Sequence, residues 1–443
     1  MQVLVLGGNG YIGSEVIRHL LANGFSVVGL GRNLGAARSR MPEVRWMAVE
    51  LQRLRTSADW MPVLDGIGAV VNCAGALQDG LRDDLAAIQH RAMVTLYAAA
   101  RALPAAPRIV QISADASGPA GDLPFLATKR TADDALKQSG LDHVILRPAI
   151  VIGRNAHGGS ALLRALASFP LVTPLFAPHS RMQIVAVDDV AAAVVAAIRG
   201  ELVPGADIHL AHPQVHSLRE LVAAHRAWLG LPAARAVAVP GFAARFLGHV
   251  ADMAGWLGWR SPLRSTALTV SASGVTPAPG SCKPPDDPPN VEIVGADAAP
   301  LQSVQEILRK HPAGAQDLWF ARLYLLKPVI LAGCGLFWFA SGAIALAHFT
   351  QSAGYLHSAG VPERFAGAMV WLTSIADIAL GLAVFVRRFA ATALAAMLGV
   401  SLAYLSAATV MMPGLWGDPL GPLVKVGPAI VLSLVGLAIM DER

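Results

Sequence analysis

The sequence predicts two architectures in one chain: a doubly wound parallel α/β domain, then an all-α domain of four membrane-spanning helices. Three observations predict it. A short apolar run at residues 2–6 leads directly into a glycine-spaced turn and an amphipathic helix. Further apolar runs then alternate with helical stretches through residues 1–260, as a parallel sheet with crossover helices requires. From residue 325 onward nearly every position is apolar, in four stretches of membrane-crossing length.

Each element follows from its residues. Residues 2–6 read as a strand buried on both faces, and Gly7-Gly8-Asn9-Gly10-Tyr11-Ile12-Gly13 follows at once. A helix over 11–23 carries Ile12, Val16, Leu20 and Leu21 on one side and stops at Gly24, and a second strand at 25–30 completes the βαβ unit. That context turns three glycines into a dinucleotide-binding turn. Gly7 makes the tight turn, Gly10 lets a pyrophosphate approach the backbone, and Gly13 lets the helix pack against the sheet. The N–H groups of Tyr11 and Ile12 open the helix, where its positive end meets phosphate. The second strand ends Gly29-Leu30-Gly31-Arg32-Asn33. No carboxylate stands there for a ribose 2′-hydroxyl, and Arg32 offers a guanidinium for a 2′-phosphate, so NADP(H) is favoured over NAD(H).

Strands are expected at 44–49, 69–72, 108–112 and 143–146, with helices at 81–103 and 131–139 between them. Ser217-x-x-Glu220 opens another helix with a capping box. In 242–259, Phe242, Phe246, Val250, Met253 and Leu257 recur at helical spacing and Trp256 and Trp259 close the segment. A core-facing helix is the default expectation, and a helix lying on a membrane surface is the alternative. Periodicity fades from Ser261 to Pro300, where six prolines fall between residues 277 and 289, so an extended connector is expected. A short helix at 304–308, capped by Ser303 and Glu306, follows. The apolar runs occupy 328–349, 365–386, 390–412 and 424–440. The domains are therefore expected at 1–260, 261–320 and 321–443.

Composition narrows the function classes. The chain has 443 residues, 54% hydrophobic and 15% charged, with a net charge of +5 and no basic stripe, which speaks against a nucleic-acid partner and for a lipid bilayer. Cys73, Cys282 and Cys334 have no metal spacing, so no metal site is expected. No charged-then-apolar leader opens the chain, and Arg322, Lys327, Arg387 and Arg388 fall on one side of the spans. These features predict a multi-pass inner-membrane protein with its N-terminal domain in the cytoplasm. Asp377 lies within the second span, where a carboxyl must be paired, protonated or facing a polar cavity; it is expected either as a neutral acid bonded to Ser401 or Tyr404, or in proton or quinone handling.

Taken together, the glycine spacing, Asn72-Cys73-Ala74-Gly75, Ser113 at the end of the fifth strand, Leu146-Arg147-Pro148 and Val187-Asp188-Asp189-Val190 resemble the extended or atypical short-chain dehydrogenase/reductases. The resemblance covers residues 1–230 and implies a Rossmann domain. It implies that Asn72, Ala74 and Gly75 lie over the cofactor, that Lys129 bonds the nicotinamide ribose and that Ser113 is the catalytic hydroxyl. One position departs: the family's tyrosine, four residues before the lysine, is Phe125, and no tyrosine lies between Tyr97 and Tyr324. The last 120 residues or so resemble the DoxX-like membrane family. Two functional classes result. One is a membrane-anchored oxidoreductase acting on a lipophilic carbonyl or quinone, with Lys129 and Ser113 catalytic. The other is a nucleotide-dependent sensor or assembly factor for a membrane complex, similar to NmrA-like regulators and the complex I accessory subunit.

Overall fold

A computed structural model describes residues 1–32, 34–75, 84–115, 120–259, 261, 263–275 and 300–440. Asn33, residues 81–83, the proline cluster and Cys282 lie outside the described residues. The chain divides into two compact units, Met1–Asp252 with Ser261–Ala321, and Met253–Arg260 with Arg322–Arg443.

The first unit is built on a seven-stranded sheet. Strands β1 (Gln2–Leu6), β2 (Ser26–Gly31), β3 (Arg45–Ala48), β4 (Ala69–Asn72), β5 (Arg108–Ile112) and β6 (His143–Pro148) are joined by an edge strand, Asp207–Leu210. Its order is Asp207–Leu210, β6, β5, β4, β1, β2, β3, and every pairing is parallel. The chain leaves β1 toward β3 on one side and continues from β4 on the other. The crevice between the carboxyl ends of β1 and β4 is thus the switch point where such sheets bind ligands. Both faces are covered, which is why the strands read as unbroken apolar runs. Val3 and Val5 pack with Val16, Ile17 and Leu20 of α1 (Tyr11–Ala22), while Leu4 and Leu6 pack with Trp60, Met93 and Leu96.

Between the strands lie α2 (Gly35–Arg40), α3 (Ser57–Leu64), α4 (Ala92–Ala102) and α5 (Pro124–Gln138). A π-helical segment, Ala86–Arg91, leads into α4. The helix expected at 131–139 begins earlier because Pro124 at its first turn is pre-set for helical φ. Phe125 and Lys129 therefore ride on a helix, one turn apart.

Within the expected connector, Ser265–Ser273 is helical and Val275 bridges Met182. After the prolines the chain returns to the first unit. Ser303 and Glu306 form the expected capping box of helix Val304–Lys310, as Ser217 and Glu220 do for Leu218–Trp228. Val304 and Ile307 pack with Leu221 and Val222. Asp189 accepts from the backbone and side-chain nitrogens of Gln302 at 2.8 and 2.7 Å, Lys310 pairs with Asp188, and Trp228 Nε1 donates to the His311 carbonyl at 2.7 Å.

Helix Gly241–Trp256 overturns its default expectation. Phe242, Phe246, Met253 and Trp256 are 67–79% exposed, and the small Ala244 and Ala251 are the buried ones. Immediately after it, within the second unit, the Leu257 carbonyl accepts from the Arg387 amide at 2.9 Å and Trp259 Nε1 donates to the Phe385 carbonyl at 2.6 Å.

Among the described residues the second unit contains three helices long and apolar enough to cross a membrane, Ala315–Ala347 (which begins in the first unit), Glu363–Ala383 and Arg387–Met411. The fourth apolar run is helical only over Val426–Ala438, 13 residues. Gly421-Pro422 and Gly427-Pro428 crowd its start, and the residues before it form turns. An additional helix, Phe349–Ser358, precedes the second long helix. Lys327 and Arg387 both donate to the Met440 carbonyl, at 3.4 and 3.2 Å, and both sit over the Trp259 ring. One end of the bundle thus carries a collar of tryptophan and cations, as membrane–water boundaries do.

Candidate functional site

The turn after β1 is shaped by close backbone approach. Gly7 has φ +68°, and a Cβ there would stand 2.9 Å from the Ala74 Cα. A Cβ on Gly13 would stand 2.3 Å from the Gly7 carbonyl oxygen, so the helix can seat only without one. The Gly10 amide closes the turn on the Gly7 carbonyl at 2.8 Å. Tyr11 and Ile12 then begin α1, with their amides at its positive end and the Tyr11 ring stacked against His157. This cradle fits a pyrophosphate: glycine backbone lines the turn, and the positive end of α1 stands behind it. Arg32, exposed, follows the last residue of β2.

On the other side of the crevice, Asn72 is buried and fixes the loop after β4. Its Nδ2 donates to Gln111 Oε1 at 2.9 Å while its Oδ1 accepts from the Ala74 amide at 3.0 Å. That leaves Gly75 over Lys129: a Cβ on Gly75 would be 3.8 Å from the lysine Nζ. Lys129 is buried, donates to the Ile112 carbonyl at 2.9 Å and lies 5.8 Å from the Phe125 ring centre. Burial holds its pKa below the usual lysine range, with Asp133 opposing. Ser113, also buried, follows β5. The expected residues thus converge: Ser113, Lys129, Asn72, Ala74 and Gly75 meet at the ends of β4 and β5, beside the Gly7–Gly13 turn.

The structure adds a partner that sequence reasoning missed. Asp133, 1% exposed, accepts the Ser113 hydroxyl at 2.5 Å and pairs with Arg147 at 2.9 Å. Arg147 forks onto Asp207 at 2.6 and 2.9 Å, and Lys137 reaches the same carboxylate at 2.7 Å. Burial pushes the Asp133 carboxyl up, and Arg147 and Ser113 pull it back. Burial also works against the Arg147 charge, but Asp207 and Asp133 together hold its pKa above the ordinary value. The signal for Asp133 in the sequence is its place one helical turn after Lys129. Its partners, Arg147 on β6 and Ser113 after β5, lie 14 and 20 residues away in the chain. In this arrangement the Ser113 hydroxyl donates to Asp133, and the buried amine of Lys129 donates to the Ile112 carbonyl.

Away from the crevice, Glu15, His19 and Asp188 bring ligand-type atoms within 4.8 Å of one another. Glu15 already pairs with Arg18 and Asp188 with Lys310, so the group is neutralised by cations.

Known proteins resemble both halves. Residues 3–210 match the NAD dependent epimerase/dehydratase family, and residues 335–434 match the DoxX-like family. An uncharacterized chloroplastic protein of Arabidopsis thaliana is 28% identical over 229 residues, 45% of this chain and 72% of that protein. Among solved structures, UDP-glucuronic acid 4-epimerase from Bacillus cereus, in complex with UDP-glucuronic acid and NAD, is 18% identical at a TM-score of 0.45, covering 54% of this chain and 86% of its own. UDP-glucose 4-epimerase from Thermus thermophilus, in complex with NAD, is 21% identical at 0.44, covering 61% and 98%. UDP-glucose 4-epimerase from Thermotoga maritima, with UDP-glucose, is 17% identical at 0.46, again over 61% and 98%. The chain thus joins a parallel Rossmann-type α/β fold, matching the NAD dependent epimerase/dehydratase family over residues 3–210, to apolar helices matching the DoxX-like family over residues 335–434.

Proposed function

We propose that this protein is a membrane-anchored oxidoreductase that binds a nicotinamide dinucleotide, NADP(H) in preference to NAD(H), and acts on a lipophilic carbonyl or quinone. The observation that carries the reading is the Gly7–Gly13 cradle facing a buried, pKa-lowered Lys129 across the switch point. The Gly10, Tyr11, Ile12 and Gly13 backbone would take the pyrophosphate, Arg32 the 2′-phosphate, and Asn72, Ala74 and Gly75 the nicotinamide side. When bound, the dinucleotide supplies or accepts hydride. Lys129 orients the ribose and exchanges the proton that must accompany hydride movement. Ser113, held by Asp133, contributes an oriented lone pair beside it. The three long apolar helices favour a substrate that dissolves in lipid. The collar of Lys327 and Arg387 supports a cytoplasmic N-terminal domain, since cations gather on that side of a bilayer.

The test is oxidation of NADPH or NADH by the detergent-solubilised full chain with a panel of quinones and long-chain ketones, followed at the nicotinamide band. Steady turnover lost in Lys129→Ala supports the enzyme. Tight binding without turnover supports the second reading, a nucleotide-dependent sensor or assembly factor for a membrane complex, which Phe125 favours. A phenyl ring one turn before Lys129 has no proton to give. The phenol of Tyr97 is buried in the core against Gln111 at 3.4 Å.

A further inference from the structure

Inside the second unit a carboxyl is buried among apolar helices with no cation beside it among the described residues. Asp377, on Glu363–Ala383, is 6% exposed, and its partners among the described residues are two hydroxyls. Tyr404, from Arg387–Met411, donates to Oδ1 at 3.0 Å, and Ser341, from Ala315–Ala347, approaches Oδ2 at 3.5 Å. The three helices are held close around it. A Cβ on Gly342 would stand 2.4 Å from the Ser374 carbonyl, and one on Gly381 would stand 2.6 Å from the Phe339 amide. Trp338 stacks on the Tyr404 ring and fixes the phenol in place. Ser374, one turn before Asp377 on the same helix face, is 2% exposed, and its hydroxyl has no hydrogen-bond partner among the described residues.

The two sets of hydroxyls suit the two protonation states. Donors on both oxygens satisfy a carboxylate. A carboxylic acid needs an acceptor for its own proton, and the Ser374 hydroxyl oxygen stands one turn away with that capacity free. A charge at this depth is costly without a counter-ion, so a permanently ionised group would call for a lysine or arginine. None pairs with Asp377 among the described residues. The neighbouring helix Phe349–Ser358 packs nearer the other end of Glu363–Ala383, through Phe349 against Gly367, and its Tyr355 and His357 bond locally. Among the described residues, Tyr404 is therefore the titratable group that faces the carboxyl.

We propose that Asp377 is an intramembrane proton-binding site, with Tyr404 and Ser341 stabilising its ionised form and Ser374 its neutral one, and that it exchanges its proton with water. The site rests on the second unit alone and stands whether or not the first unit turns over a substrate. The probe is dicyclohexylcarbodiimide, which dissolves in the bilayer and takes up only protonated carboxyls. The acid O–H adds across a C=N bond, and the O-acylisourea rearranges to a stable N-acylurea with no atom lost. The full chain in lipid nanodiscs is treated across about pH 5 to pH 9 and the Asp377 peptide is read by mass spectrometry. The expected result is an adduct that grows roughly tenfold per pH unit on the titrating limb as pH falls. It is absent from Asp377→Asn that still elutes as a single species. Tyr404→Phe removes a donor to the carboxylate and moves the midpoint to higher pH, which a merely structural contact would not do. An adduct absent at every pH, or one indifferent to pH and to Tyr404→Phe, overturns the proposal. Protection by sodium ions at constant pH overturns it in favour of a cation site.

Discussion

At the scale of single residues, the crevice sets tight limits on substitution. A methyl group at Gly13 would stand well inside van der Waals contact distance of the Gly7 oxygen, so Gly13→Ala must displace either the turn or α1. We expect dinucleotide affinity, measured by calorimetry, to fall roughly tenfold or more, since each 1.4 kcal/mol of misfit is about a factor of ten. Lys129→Ala should lower kcat by roughly 10²- to 10⁴-fold while leaving the dissociation constant for the dinucleotide less affected, as loss of a general acid does. Phe125→Tyr, on the same helix, should raise turnover if the crevice is a reductase site. His225 shows a residue-scale effect on stability. It is fully buried, its Nδ1 lies 2.8 Å from the Leu221 carbonyl, and burial pulls its pKa down to about 4. The unfolded chain binds this proton at about 6.5. Between those values the unfolded state holds more protons, so stability falls as pH drops from about 6.5 to about 4, by on the order of 3 kcal/mol in all. Thermal unfolding of the first unit followed from pH 7.5 to pH 5 should show the loss, and His225→Gln should flatten it.

At the scale of elements, Gly241–Trp256 has a polarity opposite to that of a core helix: alanines inward, aromatics outward. Its continuation is bonded to the turn between the second and third apolar helices, beside the Trp259 collar. A bilayer surface is the medium that both observations suit. Spin labels at 246 and 253 in nanodiscs should therefore report oxygen accessibility above that of an aqueous nickel reagent. The reverse order would assign this face to water or to protein. Sequence periodicity registers the helix and its apolar row, but periodicity cannot tell lipid from core, because both reward the same spacing. In α5 the observed start departs from the expected one for a different reason. The segment 124–130 lacks a strong apolar stripe, and what places it in the helix is Pro124 together with the packing of Leu126 and Lys129 against the sheet.

At the scale of the molecule, the first unit is completed by residues that follow the proline cluster. Val304 and Ile307 fill the cluster formed by Leu163, Leu175, Leu221 and Val222, and Arg164 pairs with Asp317 at 3.1 Å. Replacing Ile307 by Asp would bury an unpaired charge, and a loss of about 3–5 kcal/mol is expected from breaking such a contact. Differential scanning calorimetry of the full chain should then show the first transition lowered with the transition of the membrane unit unchanged. Asp188 and Asp189, read from the sequence as landmarks of a resemblance, serve here to anchor this returning segment. Their partners lie 113 and more residues further on, beyond the reach of any local pattern.

The amino-acid sequence by itself determined the alternation of strands and helices, the glycine turn with its β1 and α1 flanks, and the apolar helices. These are matters of local sterics and of hydrophobic period, which a short window contains. Only the tertiary structure decided that Asp133 accepts a hydrogen bond from Ser113, that the Gly241–Trp256 helix turns its aromatics outward, and that Tyr404 rather than Ser401 meets Asp377. Each of those depends on which distant elements come to lie side by side. That is fixed by the summed packing of the whole core and not by the residues on either side of the group concerned.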